Sequence, residues 1–216
     1  MTTQAAPRPG SMGTRAAASR SRADHRGTWL AMLLWSVASL VASFVLAVEA
    51  VTLAGDPDAV FGCDVNAVIS CGTVGSSWQA SVLGFPNAFL GLVTEPVVIT
   101  VAVAGLAGIR FPRWFMLTAQ AVYTVGLALA YWLLHQALFE IGAVCPWCLL
   151  ITVATTFVFF EMTRVNLLDG HLPLPSGVRR VLVDAARSHL DLMAVGGWLL
   201  AVALLVVSRY GTALFG

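Results

Sequence analysis

The chain has 216 residues, 58% of them hydrophobic and only 11% charged, with a formal charge of +1. So low a charge content falls well below the quarter expected of a soluble domain and points to a membrane protein. A near-neutral chain has no basic field for a polyanion, which excludes nucleic-acid binding.

Residues 1–27 carry Arg8, Arg15, Arg20, Arg22 and Arg26 among Ala, Ser, Gly and Pro, with no periodic apolar face. They are expected to form a disordered cytoplasmic tail. Gly27–Val48 follows without a charge, and a bilayer core about 30 Å thick is crossed by about 20 such residues as a helix. A basic tail before an apolar run is also the pattern of a secretory signal, with Val48-Glu49-Ala50 as a weak cleavage site. The apolar core of a signal is only about 7–15 residues long, so an uncleaved first span is expected.

Four more spans are expected: Leu83–Ile109, interrupted by Glu95 and Pro96; Phe111–Phe139, interrupted by Arg113 and His135; Ile141–Phe160; and the short Leu192–Ser208 within residues 191–209. With the tail inside, Arg110 and Arg113 fall in one inner loop, and Arg164, Arg179, Arg180 and Arg187 in or beside another at 165–190. Eleven of twelve Arg then face the cytoplasm, as the positive-inside rule asks. The outer loop at 55–85 has no Arg or Lys and carries Asp56, Asp58 and Asp64.

This topology owes nothing to cysteine, yet it puts all four cysteines on the outer face. Cys63 and Cys71 lie in the first outer loop, and Cys145 and Cys148 stand where the fourth span begins. That is the side on which disulfides persist. In "CPWC", two thiols on a first helical turn are close enough for a small-ring disulfide, and the N-terminal N–H groups favour the thiolate that attacks disulfides. Pro146 suits the helix start. Cys63 and Cys71 have seven residues between them in a polar Gly- and Ser-containing loop. Thiol–disulfide exchange can carry two electrons from a soluble dithiol through the loop pair to the helix pair, whose acceptor must be apolar, as a quinone is. The rival readings are two structural disulfides in a non-catalytic scaffold, and a four-thiolate zinc site, which the spacing and the oxidising side disfavour. Four cysteines allow three pairings, and the sequence chooses none.

The strings "CDVNAVISCGTVGSSWQ", "GFPNAFLG" and "CPWC" resemble, in order and spacing, those of the vitamin K epoxide reductase family over about residues 28–164. The resemblance implies an all-α integral membrane fold: a four-helix bundle around a quinone pocket, a capping half-helix at 76–83, and the fifth helix of bacterial members. It implies a quinone-linked thiol oxidoreductase in which Cys148 contacts the quinone, Cys145 exchanges with Cys71, and Cys63 meets a partner's thiol. Asn87 and Ser77 match positions near the quinone; a plain half-helix cap is the structural alternative for Ser77. Bacterial members often carry a fused thioredoxin-like domain. With the chain ending at Gly216, the resemblance implies a bacterial homologue served by a separate periplasmic or secreted thioredoxin-fold partner, a menaquinone-like or vitamin K quinone, and no metal. The expected place is the bacterial inner membrane, with the N-terminus cytoplasmic. Where the animal enzymes have a Tyr about two turns after the first cysteine, this chain has Thr152. That departure speaks against epoxide reduction as the main activity, the second functional reading, rather than against quinone reduction.

Among the polar residues of the spans, Glu95 is expected to serve structure, either as a protonated acid or by bonding to carbonyls freed at Pro96. His135 is expected to face water, and Glu49 and Glu140 to mark the interface.

Overall fold

A computed structural model describes the backbone of residues 10–215 and the side chains of residues 25–211. The elements are α1 (Gly10–Gly55), α2 (Cys71–Gly75), a 3-10 turn (Trp78–Ser81), α3 (Ala88–Leu106), α4 (Arg113–Gln136), a π-helical turn (Ala137–Ile141), α5 (Pro146–Leu168), α6 (Ser176–Arg187) and α7 (Leu190–Phe215). Among the described residues, five stretches are long and apolar enough to cross a membrane: His25–Gly55, Ala88–Leu106, Arg113–Ile141, Pro146–Leu168 and Leu190–Gly211.

The five expected spans are all present, and their ends differ for local reasons. The first helix starts at Gly10, inside the stretch expected to be disordered, because helical hydrogen bonding continues back from the apolar span through Ala-rich sequence; residues 1–9 lie outside the described residues. The second span starts only at Ala88, since Gly84 (φ 83°) and Pro86 hold the preceding chain out of the helix. The fourth starts at Pro146 and runs to Leu168, so Arg164 lies inside α5 instead of in a loop. The expected loop at 165–190 contains α6, an amphipathic helix. The expected half-helix at 76–83 is two pieces, α2 and the 3-10 turn, and begins five residues earlier, at Cys71. Ser70 caps α2 by accepting from the N–H of Thr73 at 3.0 Å.

α1 is the centre of the bundle, packing closely on α3 and α5, while α4 packs on α5. Two glycines let α3 approach α1: a Cβ on Gly91 would strike the Ser43 side chain, and one on Gly105 would strike the Trp29 indole. The half of the bundle away from the cysteines is filled. Trp29, Met32, Val98, Ala102, Met116, Val158, Met162 and Val165 pack there as one buried cluster, and Trp35 stacks on Phe157 with centroids 4.4 Å apart.

Buried polar groups cross-link the helices. Glu95 on α3, only 3% exposed, accepts from the Ser39 hydroxyl of α1 at 2.9 Å and from Tyr123 of α4 at 2.8 Å. Its partners are therefore hydroxyls of neighbouring helices and not the carbonyls freed at Pro96, because those hydroxyls lie inside the bundle where the side chain points. Arg164 donates to the Ala186 carbonyl at 2.8 Å and stands 3.8 Å from Asp191, tying α5 to the end of α6 and the start of α7. α7 is held by Trp198, which donates to Tyr131 at 2.7 Å, and by the Tyr210 hydroxyl, which donates to the Ala137 carbonyl in the π turn at 3.0 Å.

The α1–α3 approach makes a direct test possible. Gly105→Ala should lower thermal stability in detergent by about 1–3 kcal/mol through overpacking against Trp29. Gly126→Ala, where an added carbon meets nothing within 4 Å, should not lower it.

Candidate functional site

The site is assembled where the loop after α1 meets the head of α5. Within the loop, the Asp64 carboxylate accepts from the N–H of Phe61 at 2.7 Å, the Ser70 hydroxyl at 2.8 Å and the N–H of Gly72 at 2.9 Å. Asn66 accepts through Oδ1 from the N–H groups of Val68 and Ile69 at 2.9 and 2.8 Å. These short-range bonds turn the segment 61–72 back on itself without a hydrophobic core of its own.

The loop is then pinned to the chain entering α5 by a parallel bridge between Ile69 and Val144. The Val144 N–H donates to the Val68 carbonyl at 2.8 Å, and the Ser70 N–H donates to the Val144 carbonyl at 3.2 Å. Cys71 directly follows Ser70, and Cys145 directly follows Val144. Their sulfurs lie 3.3 Å apart, both residues 2% exposed.

Of the three possible pairings, the structure joins Cys63 to Cys71, with Cα atoms 5.7 Å apart, and leaves Cys145 and Cys148 as thiols. Cys145 is not on the first turn of α5 but caps it: its sulfur accepts from the Cys148 N–H at 3.4 Å. Hydrogen bonding from the Cys148 thiol, then from the N–H groups of Cys148 and Trp147, holds the Cys145 thiol below its usual range against the opposing cost of burial. Cys145 is thus the thiol favoured as thiolate, and it touches the disulfide it can attack.

Below this junction, a cavity of about 630 Å³ lies between the helices in the half of the bundle that the apolar cluster leaves open. Cys71, Cys145, Cys148, Ser77 and Asn87 all line it, while Cys63 is bonded to its rim at Cys71. Asn87 donates from Nδ2 to the Gln79 carbonyl at 2.7 Å, and its Oδ1 is buried with no hydrogen-bond partner among the described residues. Ser77 stands at the N-cap of the 3-10 turn without making a cap bond, and its hydroxyl donates back to the Val74 carbonyl at 2.6 Å. Thr152 also lines the cavity, its hydroxyl donating to the Cys148 carbonyl at 3.0 Å.

These features have a counterpart among known proteins: the model of the vitamin K epoxide reductase family matches residues 30–163. The chain belongs to that family. None of the curated proteins matches it. Membership makes this integral membrane protein a disulfide oxidoreductase of the quinone-linked kind, from a family that works with quinones and thioredoxin-like partners.

Glu49, expected only to mark an interface, lines the cavity and places Oε1 3.4 Å from Cys63 Sγ. The available signal was an acid at the same end of its span as the thiols. His135 is exposed, its ring tilted against that of Phe139 with centroids 4.7 Å apart, and is not among the cavity residues.

Asp64 makes the loop acid-sensitive. Despite the cost of desolvation, bonds from Gly72, Phe61 and Ser70 lower its pKa below the usual 3.8. A depressed carboxylate stabilises the fold fully above its unfolded value and loses that contribution as pH falls through the folded one. Asp64→Asn should weaken amide-exchange protection at Gly72 at neutral pH by about 1–2 kcal/mol, discounted for exposure. The gap to wild type should close below about pH 4.

Proposed function

We propose that this chain takes electrons from the dithiol of a thioredoxin-fold protein and passes them, through Cys63/Cys71 and then Cys145/Cys148, to a membrane quinone, so generating disulfides in other proteins. The observation that carries this is the 3.3 Å contact between Cys71 and Cys145, which makes the two pairs one relay. The Arg pattern supports an orientation with the cysteine end outside, the family match over residues 30–163 supports residues 28–164 as the catalytic unit, and the fifth span, a feature of bacterial members, supports a bacterial plasma membrane.

The partner's thiolate attacks Cys63, which is half-buried where Cys71 is fully buried. A bond to Cys63 forms, the Cys63–Cys71 bond breaks, and Cys71 leaves as thiolate. Cys71 then attacks Cys145 of a Cys145–Cys148 disulfide, and Cys148 leaves. The partner's second thiol displaces Cys63, and Cys63 attacks Cys71 to release Cys145. The relay ends with Cys63–Cys71 closed and Cys145 and Cys148 reduced, the arrangement seen here.

The cavity fits a quinone head on chemical grounds. Its walls are mostly apolar, and Asn87 offers the buried Oδ1 without a partner, suited to a quinol hydroxyl, and a second amide N–H, suited to a quinone carbonyl. A quinone bound there supplies an acceptor for two electrons and two protons. Cys148 lies on the cavity wall as the reacting thiol, Asn87 orients the head, and the apolar lining excludes water.

Cys148→Ser in the full-length protein in membranes should abolish quinone-dependent oxidation of a reduced thioredoxin-fold protein, a fall of at least about 100-fold. The variant should also hold a Cys71–Cys145 disulfide visible by non-reducing mass mapping. Undiminished oxidation would sink the relay. Asn87→Ala should raise KM for quinone by about 10-fold while the loop disulfide still forms.

A further inference from the structure

The relay just proposed contains one step for which thiols alone are poorly equipped. Cys63, displaced from the partner as a thiolate, takes up a proton from water at neutral pH, since an ordinary thiol has a pKa of about 8.5, and it must lose that proton again before it attacks Cys71 to release Cys145. Cys63 is not at a helix N-terminus: α2 begins only at Cys71. Cys145, by contrast, is helped by the head of α5. The nearest side chain suited to take the proton is Glu49, at the outer end of the first span, with Oε1 3.4 Å from Cys63 Sγ. The same carboxylate lies within 4.8 Å of the Cys71 sulfur as well.

We propose that Glu49 is a catalytic residue, the general base that deprotonates Cys63 for closure of the loop disulfide and, in reverse, the acid that protonates Cys63 as it leaves. In the forward step the Cys63 proton passes to the Glu49 carboxylate. The Cys63–Cys71 bond forms, the Cys71–Cys145 bond breaks, and Cys145 departs as a thiolate stabilised by the N–H of Cys148. No oxidant or reductant enters, since two sulfurs exchange one disulfide.

The geometry separates Glu49 from the other carboxylate of the loop. Asp64 is saturated by bonds from Phe61, Ser70 and Gly72 and organises the turn. Glu49 reaches in from α1 and places Oε1 3.4 Å from the Cys63 sulfur, in position to accept from the Cys63 thiol once the loop disulfide is open. The titratable groups that face it are Asp64 in the loop and Cys145 and Cys148 at the head of α5. All are acids, so a proton taken up by Glu49 relieves like charge at the moment Cys145 becomes a thiolate.

The inference rests on the Cys71–Cys145 relay, and the test separates the two. Full-length protein in lipid nanodiscs is given dithiothreitol and a short-chain quinone, and single-turnover rates are followed from pH 6 to 9. In Glu49→Gln the rate should be about 10- to 100-fold below wild type at pH 6.5 and recover to within about threefold at pH 9, where Cys63 ionises unaided. Glu49→Asp should keep the shallow wild-type profile at a reduced rate. A Glu49→Gln variant with the wild-type profile, or one slowed by the same factor at every pH, overturns the role of Glu49. Cys148→Ser and Cys148→Ser/Glu49→Gln proteins are mapped for the Cys71–Cys145 disulfide in parallel. Its absence from both removes the relay and the base together; its presence beside an unchanged pH profile removes the base alone.

Discussion

Two main-chain hydrogen bonds, between Val68 and Val144 and between Ser70 and Val144, govern the chemistry of this molecule. They are the meeting of a polar loop with the entry to a membrane helix, and each leads into a cysteine. Without them Cys71 and Cys145, 74 residues apart in the chain, would have no fixed relation. With them the sulfurs touch, and two separate redox pairs become one conductor. Backbone pairing suits this purpose because it sets position without engaging either sulfur.

The rest of the structure divides the work between the two halves of the bundle. Away from the cysteines, large apolar side chains and the close α1–α3 contact at Gly105 produce a filled, rigid core. Toward the cysteines, the helices enclose a cavity whose walls carry Asn87, Ser77, Thr152 and both α5 thiols. Glu95 ties α1, α3 and α4 together beside that cavity. A buried carboxyl in a membrane protein is costly unless its oxygens are bonded, and here two hydroxyls bond them. Rigid walls around an open space are what a relay needs if its sulfurs are to keep their spacing while a molecule enters and leaves.

Much of this is legible in the residues. The five apolar runs, the four cysteines at one end and the family strings are local patterns, set by the thickness of a bilayer and by short motifs, and each survives in the structure. Element ends were less legible. Pro146 begins α5 and leaves Cys145 as its cap, a distinction of one residue that decides which sulfur gains the N–H groups. The half-helix begins at Cys71, and not at 76 as the resemblance implies, because Ser70 caps it with a hydroxyl bonded to the N–H of Thr73. Glu95 illustrates the opposite failure, since its bond partners sit on helices 56 and 28 residues away.

The sequence by itself determined the class of molecule, the membrane spans, the gathering of all four thiols at one end and the disulfide-exchange chemistry they can perform. These follow from hydropathy and from what each side chain is. Only the tertiary structure decided that Cys63 pairs with Cys71, that Cys71 lies against Cys145, that Asn87 keeps an unpartnered oxygen in the cavity, and that Glu49 touches Cys63. Each of those is a distance between residues on different elements, and a distance of a few ångströms is set by how helices and loop close on one another, which no local pattern encodes.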